Sequence, residues 1–332
     1  MTTAVVAGLG SWLPPRVVSN DDLSRRLGTS AEWIEARTGI RHRRVVEPGM
    51  STADLAAQAG QRALKSAGMD GAGALVLATT TPDYLCPATG PEVASRLGLT
   101  GIPAMDVGAV CTGFVYALAT GAGLIGIGLA DRVLVIGADT FTTILDPHDR
   151  TTTAIFGDGA GAVVLRAGEP GEPGALGPFD LGSDGELAEL IQIPAGGSRQ
   201  RSTGVPAAPA DHYFQMQGKP VFKQAVLRMT GSARAALDRA GWRTGEVDRF
   251  VGHQANARIL AALAEQLGLP ADRIVRNIDS VGNTAAASIP LALADAAGSG
   301  QLRPGHKVLL SAFGGGLTWG STTLLWPDPS TI

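Results

Sequence analysis

Two kinds of apolar segment alternate along the chain. Nearly continuous apolar runs at Ala74 to Thr79, Arg132 to Gly137 and Lys307 to Phe313 predict strands of sheets that are covered on both faces. Longer stretches at Ser51 to Ala67 and Lys219 to Ala240 carry apolar residues at helical spacing, which predicts amphipathic helices. The alternation of the two kinds predicts an α/β fold.

The same order of elements occurs twice. A Pro/Gly-rich stretch at Gly168 to Gly174 separates two segments, and each segment has the predicted order helix, strand, helix, strand, helix, strand, strand. The third helix of the first half opens at about Cys111, and the second half includes a predicted strand at Arg273 to Arg276. We therefore predict two pseudo-symmetric halves, residues 1–170 and 171–332, that share helices between their sheets. Active sites of such folds lie at strand ends and helix N-termini, where the halves meet.

Composition excludes several classes of protein. The 332 residues carry a formal net charge of −3, so the basic footprint of a nucleic-acid binder is missing. The most apolar segment, Gly113 to Ala130, is interrupted by Thr120 and several glycines, which favours a buried helix over a membrane span. The first residues lack the cationic start and cleavage site of a signal peptide. Two cysteines make no disulfide framework, so we expect a location in the reducing cytoplasm.

Cys111 is the candidate nucleophile. It follows a short predicted strand and a turn, and it opens the most apolar helix of the chain. The free N–H groups and the dipole of a helix N-terminus stabilise a thiolate, so we expect a lowered thiol pKa and backbone donors for an oxyanion. The alternative is a small buried apolar side chain, which is the usual role of a cytoplasmic cysteine.

Two residues of the second half are candidate hydrogen-bond donors. His253 ends a predicted strand, which would direct its imidazole into the crevice, although a purely structural histidine is an equal alternative. Asn283 precedes a predicted helix, where its amide either caps that helix or faces an anionic centre. The glycines of Phe313 to Gly320 would let the backbone approach a ligand closely, but a flexible hairpin would contain them as well.

Taken together and in order, these segments resemble β-ketoacyl-acyl-carrier-protein synthase III of the thiolase superfamily, and the similarity covers nearly the whole chain. The family's fold is a five-layered αβαβα sandwich, and this fold agrees with the duplicated order of elements. Members of the family are usually homodimers. The segments that carry the resemblance are Glu32 to Arg41, Cys111 to Phe114, Phe156 to Ala162, His253 to Arg258, Gly282 to Thr284 and the final glycine loop.

The resemblance implies a catalytic triad of Cys111, His253 and Asn283. The thiolate would take an acyl group from acyl-CoA, and the N–H groups of Cys111 and Gly315 would hold the oxyanion. His253 and Asn283 would then donate hydrogen bonds to the thioester of malonyl-acyl-carrier protein, which loses CO2 and attacks the acyl-cysteine. The implied partners are therefore acyl-CoA and malonyl-acyl-carrier protein. Coenzyme A enters as a substrate, and neither a cofactor nor a metal is expected.

The resemblance also implies binding residues outside the triad. An aromatic ring with guanidinium groups suits a flat, phosphorylated nucleotide such as the adenine end of CoA. The implied CoA-binding residues are Trp33, Arg37, Arg150, Gly218 and Asn256. The implied docking residues for the acidic carrier protein are Lys223 and Arg258, for which an ordinary solvated surface is the alternative.

The acyl pocket is where the sequence departs from its relatives. Cys86 stands where some acetyl-using relatives carry a bulky aromatic side chain at the base of the pocket. A smaller residue there would lengthen or widen the pocket, which predicts longer or branched primers. Phe313 is implied to guard the side of the site that the triad histidine and asparagine occupy.

Two other functions remain open at this stage. An acyltransferase would pass the acyl group to a hydroxyl or amine of a natural product without loss of CO2. Asn283 favours condensation, because the amide is needed mainly for the malonyl enolate. A non-catalytic subunit that pairs with a condensing enzyme would form no acyl adduct at Cys111, and the complete triad disfavours it. The residues leave open whether the product enters fatty-acid or polyketide synthesis.

Overall fold

Two sheets dominate the computed structural model, which describes residues 2–328. The strands are β1 (Thr3–Trp12), β2 (Arg16–Ser19), β3 (His42–Val45), β4 (Ala74–Ala78), β5 (Ala104–Val107), β6 (Arg132–Asp139), β7 (Gly159–Gly168), β8 (Leu176–Ser183), β9 (Ile191–Gln192), β10 (Gln215–Met216), β11 (Arg249–Gly252), β12 (Lys307–Gly314) and β13 (Thr318–Leu325). The α-helices are α1 (Asn20–Leu27), α2 (Ala31–Thr38), α3 (Thr52–Ser66), α4 (Gly90–Arg96), α5 (Gly113–Gly126), α6 (Ser198–Arg201), α7 (Gly218–Ala240), α8 (Ala257–Leu267), α9 (Ile278–Val281) and α10 (Ser288–Gly298).

The first sheet has five strands in the order β1, β7, β6, β4, β5. The strands β1, β7 and β6 are antiparallel neighbours, whereas β4 lies parallel to both β6 and β5. Every residue of β4 and all but the first of β6 are buried, in agreement with their apolar sequences. Such burial is expected of central strands that helices cover on both faces.

The second sheet repeats this arrangement with four strands in the order β8, β13, β12, β11. The strands β8, β13 and β12 are antiparallel and β12 is parallel to β11, so these four correspond to β1, β7, β6 and β4. The fifth position holds only a single parallel bridge between Phe250 and Ile274. The prediction of a strand at Arg273 to Arg276 is therefore wrong, because the 3₁₀ turn Ala271–Arg273 takes up the start of that segment.

Alternation along the strands sorts the apolar side chains into three cores. Leu77 of β4 packs with α3 and α4 on the outer face of the first sheet. Val76 of β4 and Leu310 of β12 face each other's sheets across α5 and α10. Leu309 of β12 packs with α7 and α8 on the outer face of the second sheet. The resulting order of helix, sheet, helix, sheet, helix is the five-layered sandwich, so the predicted fold class is confirmed.

The central helix α5 begins later than predicted. Val110–Thr112 form a 3₁₀ turn and α5 starts at Gly113, so Cys111 precedes the helix instead of opening it. Val110 has a φ of 46°, which is a strained conformation for a β-branched residue. The chain thus reaches the central layer through a constrained turn that carries Cys111. Within residues 2–328, no helix combines the length and the apolar character needed to cross a membrane.

Candidate active site

Cys111 lies where the two halves meet. Its turn follows β5 of the first sheet, and Gly314, the last residue of β12 in the second sheet, packs against it. A β-carbon added at Gly314 would lie 2.8 Å from the Cys111 nitrogen and 2.9 Å from the Thr112 nitrogen, closer than real β-carbons approach. Glycine at this position therefore keeps the space beside the Cys111 N–H group open.

Gly315, the residue predicted as the second oxyanion donor, follows directly in the turn after β12. A β-carbon added there would be 3.2 Å from Val110 and 3.0 Å from Ile191. The structure thus places Gly315 beside the turn that carries the nucleophile. Sequence reasoning read the glycines of this loop as a group and did not single out Gly314, because the contact it makes comes from the other half of the chain.

The surroundings of Cys111 favour its protonated form. The side chain keeps partial access to solvent, but burial by the surrounding protein, reinforced by the negative charge of Asp139, raises the pKa of the Cys111 thiol well above its usual range. The Cys111 backbone N–H group acts in the opposite direction with a smaller effect. The expected lowering of the thiol pKa is therefore wrong for the free protein, because burial and the charge of Asp139 outweigh the effect of the backbone N–H group.

His253 follows β11 at the same sheet edge that Gly314 occupies. Its backbone N–H donates to the Ser311 carbonyl on β12 (2.8 Å), which anchors it next to the parallel strand. The side chain is 3% exposed, and within residues 2–328 its Nδ1 has no hydrogen-bond partner. Burial lowers the pKa of His253 to about 3. The imidazole is consequently neutral at physiological pH and can donate one hydrogen bond without carrying a charge.

Asn283 reaches the site from a short loop after α9. Its backbone is held on both sides, since its N–H donates to the Ile155 carbonyl and its carbonyl accepts from the Gly157 N–H, each at 2.9 Å. Its Oδ1 accepts a hydrogen bond from the Ala285 N–H at 3.0 Å. That bond orients the amide, so its NH2 group points away from Ala285. Asn283 therefore does not cap the helix, because α10 begins at Ser288 without a side-chain cap; its Oδ1 holds the first residue of the 3₁₀ turn Ala285–Ala287 instead.

A cluster of aromatic side chains packs beside Cys111, and sequence reasoning missed it. The rings of Phe141 and Phe156 stack at a centroid distance of 4.2 Å, and Phe214 meets both edge-on at 5.0 and 5.3 Å. Leu145 and Ala285 complete this buried group, against which the cysteine packs. We call Phe141, Phe156, Phe214, Leu145 and Ala285 the aromatic cluster. The one available signal was Phe156, which is part of a segment that carried the resemblance.

The two residues predicted for the acyl pocket lie outside the aromatic cluster. Phe313 is buried with the core between the second sheet and its outer helices, and it pairs with Trp319 across the β12–β13 hairpin. Ile191 contacts both that core and the aromatic cluster, so Phe313 is a near neighbour of the site. Cys86 is exposed, on a loop with the exposed side chains of Tyr84 and Leu85. Within a single chain, Cys86 therefore does not line the space beside the nucleophile.

The residues predicted to bind the CoA nucleotide come together at the surface. The guanidinium of Arg37 lies 4.6 Å from the centroid of the Trp33 ring, and that of Arg150 lies 5.6 Å from it. Asn256 joins this group from the second half, because its Nδ2 donates to the Arg37 carbonyl at 3.0 Å. Four of the five predicted CoA residues thus form one connected patch. Gly218 is exposed at the start of α7, with open space around its α-carbon.

The two predicted docking residues are both exposed. Lys223 lies on the first turns of α7, and Arg258 lies on the first turn of α8 next to Asn256. Within the part of the chain that the structure describes, neither forms an ion pair. Among the same residues, no group of three or more His, Cys, Asp or Glu side chains is arranged to hold a metal ion.

Comparison with known proteins gives a consistent result. The family model described as 3-oxoacyl-[acyl-carrier-protein] synthase III matches residues 105–185, and the model of its C-terminal part matches residues 237–326. The chain is 63% identical over 328 residues to β-ketoacyl-[acyl-carrier-protein] synthase III 5 of Streptomyces coelicolor, covering 99% of this chain and 98% of that protein. It is 55% identical to β-ketoacyl-[acyl-carrier-protein] synthase III of Pseudomonas aeruginosa, covering 98% and 97%.

Solved structures agree with these relatives. The crystal structure of 3-oxoacyl-(acyl carrier protein) synthase III from Pseudomonas aeruginosa PAO1 matches with a TM-score of 0.92 at 53% identity, covering 98% of this chain and 99% of that one. The priming β-ketosynthase of the R1128 polyketide biosynthetic pathway matches with a TM-score of 0.91 at 35% identity, covering 98% and 97%. The chain therefore belongs to the β-ketoacyl-[acyl-carrier-protein] synthase III family.

Proposed function

We propose that the protein condenses an acyl-CoA primer with malonyl-acyl-carrier protein, with loss of CO2, through an acyl-Cys111 intermediate. The observation that supports this most directly is that the turn of the candidate nucleophile packs against β12, next to His253, and against the 3₁₀ turn that follows Asn283, so that one thiol and two uncharged donors lie in contacting segments. His253 is held neutral by burial, and Asn283 is held by its neighbours with its amide donor free to face the site. The acyl-carrier-protein synthases among its relatives support the same reaction.

In the first half-reaction, the Cys111 sulfur attacks the thioester carbon of acyl-CoA. Since the thiol is protonated in the free protein, its proton leaves as the C–S bond forms and is taken up by the departing CoA sulfur. The backbone N–H of Cys111, next to the space that Gly314 keeps open, is placed to stabilise the oxyanion, with Gly315 as the second donor. The products are acyl-Cys111 and free CoA.

In the second half-reaction, malonyl-acyl-carrier protein replaces CoA. His253 Nε2 and Asn283 Nδ2 would donate hydrogen bonds to the malonyl thioester oxygen, which becomes an enolate as the terminal carboxylate leaves as CO2. Neutral donors suit this step, because a cationic imidazole would bind the leaving carboxylate instead of releasing it. The carbanion then attacks the acyl-Cys111 carbonyl, the Cys111 sulfur departs as a thiolate to give the 3-ketoacyl product, and a proton from solvent restores the thiol.

The nucleotide of CoA is proposed to bind at the Trp33 patch. An adenine ring would stack on Trp33, and Arg37 and Arg150 would face the phosphates. Asn256 and Gly218 are proposed to line the path of the pantetheine arm from that patch to Cys111. We further propose that the exposed cations Lys223 and Arg258 meet the acidic carrier protein, since exposed Arg and Lys attract anionic partners at long range.

The acyl chain is proposed to run along the aromatic cluster beside Cys111. The prediction that Cys86 sets the length of this pocket then needs a second copy of the chain, because Cys86 is exposed in a single copy. We propose a homodimer formed along β5, which is the edge strand of the first sheet and lies near the exposed loop of Tyr84 and Leu85. The loop of each copy would then close the pocket of the other.

The experiment that tests the reaction is intact-mass analysis in two stages. The protein is first incubated with a panel of acyl-CoAs of two to eight carbons, and malonyl-acyl-carrier protein is then added. We expect an acyl adduct that is absent from Cys111→Ala and that is discharged into a 3-ketoacyl carrier product with release of CO2. An adduct that malonyl-acyl-carrier protein does not discharge would indicate acyl transfer to another acceptor, and no adduct would exclude catalysis.

Primer length and the dimer are tested separately. Replacing Cys86 by Phe should shift the preferred adduct toward shorter acyl groups if this side chain closes the pocket, whereas Leu85→Phe on the same loop is the matched control. Strict acetyl preference of the unmodified protein would refute the prediction of longer primers. Light scattering coupled to size exclusion measures the mass in solution, and a monomer would refute both the dimer and the role of Cys86.

A further inference from the structure

One buried carboxylate near the nucleophile has no part in the proposed chemistry. Asp139 is the last residue of β6, and its side chain is fully buried. Its Oδ1 accepts hydrogen bonds from the Thr80 N–H at 2.7 Å and from the hydroxyls of Thr79 and Thr81, each at 3.2 Å. Its Oδ2 accepts from the Ala286 N–H at 2.9 Å. The carboxylate thus joins the end of β4 to the loop that carries Asn283.

The loop that carries Asn283 contains a strained residue, which directly precedes the Ala286 N–H group that Asp139 binds. Ala285 has a φ of 47°, which is unfavourable for a residue with a β-carbon. The Asn283 Oδ1 accepts from the Ala285 N–H, and the Asp139 Oδ2 accepts from the next N–H along the chain. Two side-chain acceptors therefore hold consecutive backbone donors and keep Ala285 in its left-handed conformation. The direction of the Asn283 amide depends on the same bonds.

The carboxylate does not favour formation of the acyl-enzyme. Its negative charge is one of the causes that raise the pKa of the Cys111 thiol, after burial. Burial raises the pKa of Asp139 itself to about 7, and its four donors oppose this, so a neutral residue here would remove a charge that disfavours the thiolate. The carboxylate of Asp139 therefore opposes the first half-reaction, and its contribution is to be sought in the second.

We propose that Asp139 is a positioning residue for decarboxylation: by binding the Ala286 N–H group it holds the Asn283 amide in register with the malonyl thioester, and it makes no positive contribution to acylation. The inference rests on the proposed function, because it assigns separate requirements to the two half-reactions. Asparagine at 139 keeps the volume of the side chain but supplies one oxygen and one NH2 group. In either orientation, Thr80 or Ala286 would present its N–H group to another donor.

The test measures both half-reactions of Asp139→Asn. Acylation is followed as the rate of adduct formation with acyl-CoA, and decarboxylation as CO2 release from malonyl-acyl-carrier protein by the acylated enzyme. We expect decarboxylation to fall by about 10- to 100-fold, as for a small misplacement of a catalytic group, while acylation is unchanged or faster. Equal losses in both steps, or no loss of decarboxylation, would overturn the proposal.

The matched control is Asp158→Asn. Asp158 is also a fully buried carboxylate, and it accepts from the backbone N–H groups of Val46 and Thr142 but not from the Asn283 loop. In Asp158→Asn, the loss of a buried acceptor should lower the thermal stability of the protein but should change the rates of acylation and decarboxylation by the same factor. If the control separates them to the same extent as Asp139→Asn, the effect belongs to buried carboxylates in general and the proposal fails.

A second variant covers the case in which Asp139→Asn folds poorly. In the double variant Asp139→Asn with Ala285→Gly, glycine adopts the left-handed conformation without a carboxylate to hold it. Decarboxylation should therefore recover at least about fivefold over the single variant. If the single variant is unfolded, decarboxylation should be found in the double variant alone. No recovery would contradict the proposal. A natural-sequence protein that neither acylates nor decarboxylates would instead refute the proposed function itself, which keeps the two failures distinct.

Discussion

The two halves of the molecule place the same strained turn at the same point of each sheet but surround it differently. Val110 and Ala285 have φ values of 46° and 47°, and each lies in a 3₁₀ turn just before a central helix. The facing strand of the opposite half ends in Gly314 beside the first turn and in Asp139 beside the second. The first turn therefore keeps the space beside the Cys111 N–H open, whereas in the second turn a carboxylate binds the corresponding N–H of Ala286.

This difference explains how a duplicated frame supports a single active site. An N–H group that is left open beside a cysteine can bind an oxyanion, whereas an N–H group that already donates to a carboxylate cannot. In the proposed site, the second half contributes the side chains of His253 after β11 and Asn283 before the turn, together with the backbone N–H of Gly315. The backbone arrangement is alike in the two halves, whereas their proposed roles in the reaction differ.

The largest effect is expected when the open space beside the Cys111 N–H is filled. Gly314→Ala places a β-carbon 2.8 Å from the Cys111 nitrogen, so we expect acyl-adduct formation to slow by about 100-fold or more. Stopped incubations with intact-mass detection measure this rate. Gly123→Ala is the control, because that glycine is exposed on α5 with open space around it. Acylation of Gly314→Ala at the unmodified rate would show that the open space is not used.

The second test separates the donors of the second half from the nucleophile. Asn283→Ala removes the amide donor and the acceptor for Ala285, so decarboxylation should fall by about 100-fold while acylation stays within about threefold. The two rates are measured on the same preparation. Asn277→Ala, another buried asparagine on the neighbouring helix end, should not separate them. A parallel fall of both rates in Asn283→Ala would mean that the halves do not divide the reaction.

A smaller effect is expected at the nucleotide patch, which the first half supplies almost alone. Arg150→Ala removes one of two guanidinium groups near the Trp33 ring, so the Kd of CoA should rise by about two- to fivefold, as for an exposed cation–π contact. Isothermal titration calorimetry measures the change. Arg25→Ala is the control, since its exposed side chain pairs with Asp22 and lies outside the patch. Unaltered CoA affinity of Arg150→Ala would place the nucleotide elsewhere.

The smallest expected change is the absence of a titration. Burial lowers the pKa of His253 to about 3, so its imidazole should stay neutral from pH 8 down to about pH 5. NMR shifts of the imidazole, assigned with His253→Asn, measure this directly. In the unfolded chain His253 takes up a proton near pH 6.5, whereas in the folded chain it stays neutral down to about pH 3. His253 therefore contributes to stability above about pH 6.5, and this contribution is lost as the pH falls from about 6.5 toward 3. A midpoint near 6.5 in the folded protein would remove the argument for neutral donors.

Much of the frame was predictable because it depends on local patterns. The apolar runs of β4 and β6 and the amphipathic periods of α3 and α7 are properties of short segments, so their order revealed the duplication. The strand predicted at Arg273 to Arg276 failed, because one bridge at Ile274 is all that the preceding 3₁₀ turn allows. The start of α5 was misplaced by two residues for a related reason, since the strain at Val110 is stabilised by packing from the other half.

The site was predictable in its residue types but not in its electrostatics. Cys111, His253 and Asn283 were predicted from their positions at strand ends and turns together with a family resemblance, and the structure packs the turn of Cys111 against β12, next to His253, and against the 3₁₀ turn that follows Asn283. The direction of the thiol pKa was wrong, because it depends on burial and on Asp139, which lies 28 positions away in the sequence. The aromatic cluster was missed because its three rings come from separate segments that show no common pattern.

The duplicated α/β frame, the family and the candidate residues of the reaction follow from the sequence alone, because they are encoded in local periodicity and in short motifs. Only the tertiary structure decided which residues face one another across the two halves: the glycine that keeps one turn open, the aspartate that fills the other, and the burial that keeps His253 neutral. These properties arise from contacts between residues far apart in the chain, and their energies depend on the packing and dielectric surroundings that only the folded protein creates.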